Sequence, residues 1–146
     1  MIDINNKEIL NSKLDKYENI IRKEPIENAV VITKEGEVYR CYGTLNGVYP
    51  KIDLGDKIKG GIVTHNHPLG SANEYSFSNA DINLFMDNEL KILRGVDDIF
   101  NYELSLSDKS IDDDISIFET TEYDVRHCQV ISRAQQLNIG YRRVRI

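Results

Sequence analysis

The chain has 146 residues and a formal net charge of −6, from 18 basic and 24 acidic side chains, with 40% hydrophobic and 29% charged residues. That length suits one domain with a real core, and the composition excludes a disordered chain. The acidic balance argues against a duplex-DNA binder, whose affinity comes from Lys and Arg displacing counterions, so nucleic acid is not an expected partner.

Residues 7–23, "KEILNSKLDKYENIIRK", repeat Leu10, Leu14, Tyr17 and Ile21 at helical spacing, which predicts an amphipathic helix covering a sheet. The β-branched and aromatic runs "ENAVVIT" and "EVYRCYG" flank "KEGE", whose glycine permits a tight turn and makes the pair a hairpin. "VYPKIDL" reads as a weak strand or loop, followed by a glycine-rich break and the strand "GGIVTH". A helix is predicted from about Asn79, because Ile82, Phe85, Met86 and Leu90 recur at helical spacing after a Ser/Asn start. "KILRGV" and "FNYELSLS" read as strands joined by an acidic turn.

The run "DKSIDDDIS" reads as a solvated loop, since it has neither EF-hand spacing nor the EF-hand glycine and is not expected to bind calcium. A long helix over about 115–138 carries Phe118, Val125, Cys128, Ile131 and Ala134 and stops at Gly140. The tail "YRRVRI" then makes a short final strand with solvated arginines. The order helix, hairpin, strand, helix, two strands, helix, strand is that of a single α+β domain over 1–146.

No apolar run approaches the roughly 20 residues that span a membrane, and "MIDINNKEIL" lacks the basic and apolar regions of a signal peptide. The two cysteines, Cys41 and Cys128, form no CxxC pair or disulfide framework. The expected setting is cytoplasmic, with reduced thiols and no membrane partner. Cys128 follows His127, but adjacent side chains on a helix do not face each other, so a structural or surface role is expected for it.

Two of the three histidines, His65 and His67, lie where "GGIVTH" ends. An i, i+2 pair on a strand projects from one face, and Pro68 holds His67 extended. Downstream, "SNAD" puts Ser78 and Asp81 on the first turn of the next helix. That pattern fits an N-cap followed by an acidic residue near the positive end of the helix dipole. It also supplies a carboxylate beside two imidazoles, and two histidines plus one carboxylate are an established zinc-ligand set that leaves the fourth position to water.

His-x-His, a spacer and Ser-x-x-Asp, with a glutamate upstream at the start of a strand, resemble the JAMM (MPN+) zinc metalloprotease family. "THNHP" is similar to its RadC-type bacterial branch, and "SFSNADINLF" to phage-associated members. The resemblance covers roughly residues 25–106. It implies a JAMM/cytidine-deaminase-like architecture, a mixed and mostly antiparallel sheet flanked by helices. It also implies Zn²⁺ on His65, His67 and Asp81, a general-base glutamate, and Ser78 as hydrogen-bond donor to the oxyanion. Glu24, Glu27, Glu35 and Glu37 compete for the base; Glu27, which opens "ENAVVIT", matches the family position.

The implied activity is hydrolysis of an amide or isopeptide bond, with a protein or peptide substrate such as a ubiquitin-like conjugate. The family spacing would put the serine at position 75, where this chain has Tyr75. The longer 68–77 loop is an inexpensive insertion, because loop-closure entropy grows slowly with length. Two other readings stay open: a JAMM-like interaction domain without catalysis, and a metal-dependent nuclease, against which the acidic balance counts.

Overall fold

A computed structural model describes residues 1–72, 75–112 and 122–146. Apart from one added helix between the hairpin and the third strand, the expected order of elements is met, and the described residues form an α+β fold with four α-helices and a six-stranded mixed sheet, mostly antiparallel. Helix α1 spans Lys7–Ile21, two residues shorter than predicted, and starts where the Asn6 side chain accepts from the Ile9 amide (3.2 Å). Strands β1 (Asn28–Ile32) and β2 (Val38–Tyr42) form the hairpin, turning at Gly36 with φ of 93°, a value that glycine adopts without a Cβ penalty.

The segment read as a weak strand or loop is instead helical, with α2 over Pro50–Leu54 and a 3-10 turn over Gly55–Ile58. Pro50 opens α2, where its fixed φ suits the first turn and its missing N–H costs nothing. Strand β3 (Ile62–Asn66), helix α3 (Asn79–Asp87), strands β4 (Ile92–Val96) and β5 (Phe100–Ser105), helix α4 (Glu122–Leu137) and strand β6 (Gly140–Arg145) complete the fold. Phe118 and the first part of the predicted 115–138 helix lie outside the described residues.

The sheet order is β2-β1-β3-β4-β5-β6. Among the described strands only β3 and β4 run parallel, and α3 lies in the crossover between them. Period-2 alternation sorts the side chains. Ile32 and Ile62 pack with Leu10 and Leu14 of α1, where fully burying one leucine contributes about 1.5–3 kcal/mol. Ala29, Val31, Val63, Leu93, Tyr102 and Leu104 point the other way, into a core shared with Phe85 of α3 and Val130 of α4. His65 follows Val63 by two residues and therefore belongs to this second face.

Polar residues on the α1 side are paired. Thr64 Oγ1 donates to Glu18 (2.7 Å), Arg94 bridges Glu18 (3.3 Å) and Glu103 (3.0 Å), and Arg142 meets Glu103 (3.3 Å). Each charge is neutralised close to where it is buried, as a charge taken out of water requires. The prediction of solvated arginines in β6 needs correction at Arg143. Its guanidinium lies 3.8 Å over the Phe100 ring centroid and donates to the Tyr75 carbonyl (3.1 Å), because period 2 turns Arg143 to the inner face with Tyr141.

Candidate metal centre

Three elements carry the polar cluster. Glu27 precedes β1 by one residue, and both of its backbone groups extend the hairpin ladder, its amide donating to Thr44 O (2.7 Å) and its carbonyl accepting from Gly43 N (2.8 Å). Ala29, two residues on, pairs with His65 across β1 and β3, so Glu27 shares the face of the histidines. His67 lies one residue beyond β3, yet its amide donates to Val96 O (2.8 Å), continuing the parallel ladder. Asp81 comes from the first turn of α3.

Asn66, between the two histidines, points the opposite way and is fully buried. Its Oδ1 accepts from the Asn28 amide, and its Nδ2 donates to the Ile26 (3.0 Å) and Glu24 (3.3 Å) carbonyls. It thus ties down the connector on both sides of Glu27. That accounts for the middle letter of "HNH": an asparagine satisfies a donor and two acceptors that the irregular connector would otherwise leave buried and unpaired.

Ser78 is the N-cap of α3, its Oγ accepting from Asp81 N (3.2 Å) while Asp81 Oδ2 accepts from Ser78 N (2.9 Å). This reciprocal capping box orients the carboxylate, whose Oδ1 lies 3.2 Å from His65 Nε2 and whose Oδ2 lies 3.3 Å from His67 Nε2. The two Nε2 atoms are 2.9 Å apart. Ligand atoms of Glu27, His65 and His67 all fall within 4.8 Å of one another. Glu27, His65 and His67 are at most 3% exposed, whereas the Asp81 side chain is 15% exposed, so solvent reaches the cluster from the start of α3.

The opposite ring nitrogens are committed. His65 Nδ1 donates to the Arg94 carbonyl (2.8 Å), and His67 Nδ1 lies 2.7 Å from Tyr102 Oη. The Tyr102 phenol is held neutral, burial and the Asp97 charge pushing its pKa well above the usual value. Position 95 is glycine because a Cβ there would stand 2.2 Å from the Tyr102 ring.

Two imidazole Nε2 atoms and a carboxylate converging in a buried space need a proton or a metal ion between them. Bonds of about 2.0–2.2 Å at tetrahedral angles would set ligand atoms about 3.3–3.6 Å apart, within a few tenths of an ångström of the observed separations. The residues therefore fit a metal, and the buried Glu27, His65 and His67 group could hold one.

Of the residues singled out in the sequence, His65, His67, Asp81 and Glu27 are brought together, and Ser78 stands beside them as the cap of α3. The competing glutamates lie elsewhere: Glu35 and Glu37 are exposed at the turn, and the Glu24 carboxylate faces Arg40 (3.4 Å). His127 is buried away from the cluster, with Nδ1 at 2.8 Å from Tyr141 Oη. Cys128 beside it is exposed and Cys41 buried, and both are free thiols. Asn66, Asp97 and Tyr102 were not foreseen; the isolated glycine in "KILRGV" was the available signal of a close approach. No described helix is long and apolar enough to cross a membrane. Compared with family models, with curated proteins and with solved structures, the chain matches none.

The metal-free cluster holds a proton on His65. Burial opposes it, but the adjacent Asp81 carboxylate prevails and raises the His65 pKa from 6.5 to about 9. Burial lowers His67, and although burial alone would raise Asp81, the two histidines hold it well below 3.8. The raised His65 value gives stability that is complete below pH 6.5 and lost as pH rises through about 9. The lowered His67 value removes stability as pH falls below 6.5, and Asp81 does so below 3.8. Chelator-treated protein should therefore melt at its highest temperature near pH 6.5 and lose roughly several degrees by pH 9. His65→Asn should flatten the alkaline limb; an unchanged limb in that variant would place the proton elsewhere.

Proposed function

We propose that the chain is a zinc-dependent hydrolase of amide or isopeptide bonds, acting on a protein or peptide. The observation that carries this reading is the convergence of both Nε2 atoms on the Asp81 carboxylate, with Glu27 alongside and the solvent side at Ser78. His65, His67 and Asp81 would hold the ion, which supplies Lewis acidity to acidify water and polarise a carbonyl. Zinc is favoured over calcium or magnesium because two imidazoles suit it and hard cations take oxygen ligands.

Glu27 removes a proton from the attacking water and delivers it to the leaving nitrogen. Its fixed backbone and buried setting keep the carboxylate beside the histidines rather than in bulk solvent. Ser78 Oγ accepts one bond from Asp81 N, which leaves its own proton for donation to the substrate oxygen that gains charge. The resemblance of the His-x-His and Ser-x-x-Asp motifs to JAMM proteases supports this division of roles and extends the substrate class to ubiquitin-like conjugates.

The burial of Glu27 favours a second reading, a closed structural site in which Glu27 is the fourth ligand and the domain serves interaction. Element analysis joined to a peptide and isopeptide cleavage screen, with a chelator control, separates the two. The enzyme reading expects about one zinc per chain in wild type, loss in His65→Ala and His67→Ala, and zinc retained in Glu27→Gln with hydrolysis down about 10²-fold or more. Zinc lost from Glu27→Gln would make Glu27 a ligand, and equal zinc in every variant would dismiss the site.

Ser78 combines a cap with a proposed donor, and the choice of substitution separates them. Ser78→Gly costs an N-cap only a few tenths of a kcal/mol yet removes the hydroxyl. It should keep its zinc and melt near wild type while kcat falls about 10²–10³-fold, as when one oxyanion donor is removed. An unchanged kcat in folded, zinc-loaded protein would leave Ser78 as a cap alone.

A further inference from the structure

We infer that Tyr102 is a positioning residue that fixes the tautomer of His67 and thereby sets the metal affinity of the cluster; this rests on the metal-binding reading above. The argument begins at Asp97, which follows β4 directly and is 2% exposed. Its Oδ1 accepts from the Ile99 (2.8 Å) and Phe100 (2.7 Å) amides. Its Oδ2 accepts from the Tyr75 amide (2.9 Å) and from Tyr102 Oη (3.2 Å). Three backbone amides donate to this carboxylate, and of the two groups that face each other at 3.2 Å the phenol donates and the carboxylate oxygen accepts.

The single hydroxyl proton of Tyr102 is therefore spent on Asp97. The 2.7 Å contact between Tyr102 Oη and His67 Nδ1 can then be only a bond donated by the imidazole. This assigns the proton of neutral His67 to Nδ1 and leaves a bare lone pair at Nε2, the atom that faces Asp81 and His65. The chain Asp97, Tyr102, His67 thus does through a phenol what a carboxylate does directly when it orients a ligating histidine.

The tyrosine cannot drift from this task. Gly95 opposes it across β4 and β5 and makes room for its ring, and Phe77 packs edge-on against it at 5.0 Å. The same Asp97 oxygen holds the amide of Tyr75, whose φ of 81° lies in the left-handed region, so the backbone at Tyr75 and the orientation of His67 share one anchor.

Tyr102→Phe removes the hydroxyl while keeping the ring. Without that acceptor, the imidazole can take the alternative form with its proton on Nε2, which cannot ligate. The test has two arms on the full chain. In metal-free protein near neutral pH, ¹⁵N NMR of the imidazoles should report His67 protonated at Nδ1 in wild type and shifted toward Nε2–H in Tyr102→Phe. Competition against a chromophoric chelator should then give zinc affinity about 10- to 100-fold weaker in the variant.

A wild-type His67 protonated at Nε2 would overturn the inference without recourse to any variant. So would a folded Tyr102→Phe protein with wild-type tautomer and affinity, a result that leaves the metal site itself standing. Wild type that takes up no zinc would instead sink the metal reading, and with it the affinity half of the inference, while the NMR arm still decides the tautomer.

Discussion

Two imidazole nitrogens 2.9 Å apart, each facing a carboxylate oxygen, are tolerable in a buried space only if a proton or a metal ion lies between them. Much of the molecule is arranged around holding them there. Strand β3 is central, antiparallel to β1 on one side and parallel to β4 on the other. The antiparallel neighbour brings Glu27 to the face of His65, and the parallel neighbour carries the ladder past the end of β3 to fix His67. The crossover that a parallel pair requires is α3, and its first turn delivers Asp81. Parallel pairing and the carboxylate that faces the two histidines are thus consequences of the same connection.

The capping box of α3 shows why a structural reading and a chemical one need not compete. Asp81 accepts from Ser78 N, which holds its carboxylate at the mouth of the helix, and the same two oxygens face the two histidines. A cap is local and rigid, and the hydrogen bonds that close this one also aim the carboxylate at the two histidines. The dipole at the start of α3 adds to this by favouring the negative charge of Asp81 there.

Local patterns in the sequence revealed most of the fold, because hairpin, amphipathic helices and capping residues declare themselves within a few positions. They also placed His65, His67 and Asp81 as candidates, whereas Glu27 rested on the resemblance of the motifs to a known family. "VYPKIDL" misled because Val, Tyr and Ile favour strands, whereas Pro50 at a helix start outweighed them. Arg143 misled because an arginine in a terminal strand is ordinarily solvated, yet the alternation of β6 turned it over Phe100. Asp97 and Tyr102 escaped for a deeper reason: their partners are Tyr75 and His67, and only the register of β4 against β5 brings these together. "DDIF" looks like an acidic turn, and it is one; that its first aspartate also faces inward follows from tertiary pairing.

The two histidines differ in what secures their far nitrogens. His65 Nδ1 donates to the backbone carbonyl of Arg94, whose side chain is pinned on the opposite face of the sheet by Glu18 and Glu103. The orientation of His65 therefore depends on the sheet itself, and no side-chain replacement removes the acceptor. His67 relies on a hydroxyl, and through it on a single carboxylate. A backbone acceptor is permanent, whereas a side-chain relay can be strengthened, weakened or lost by one substitution without dismantling a strand. His67 is consequently the histidine whose orientation a single substitution in its surroundings can change.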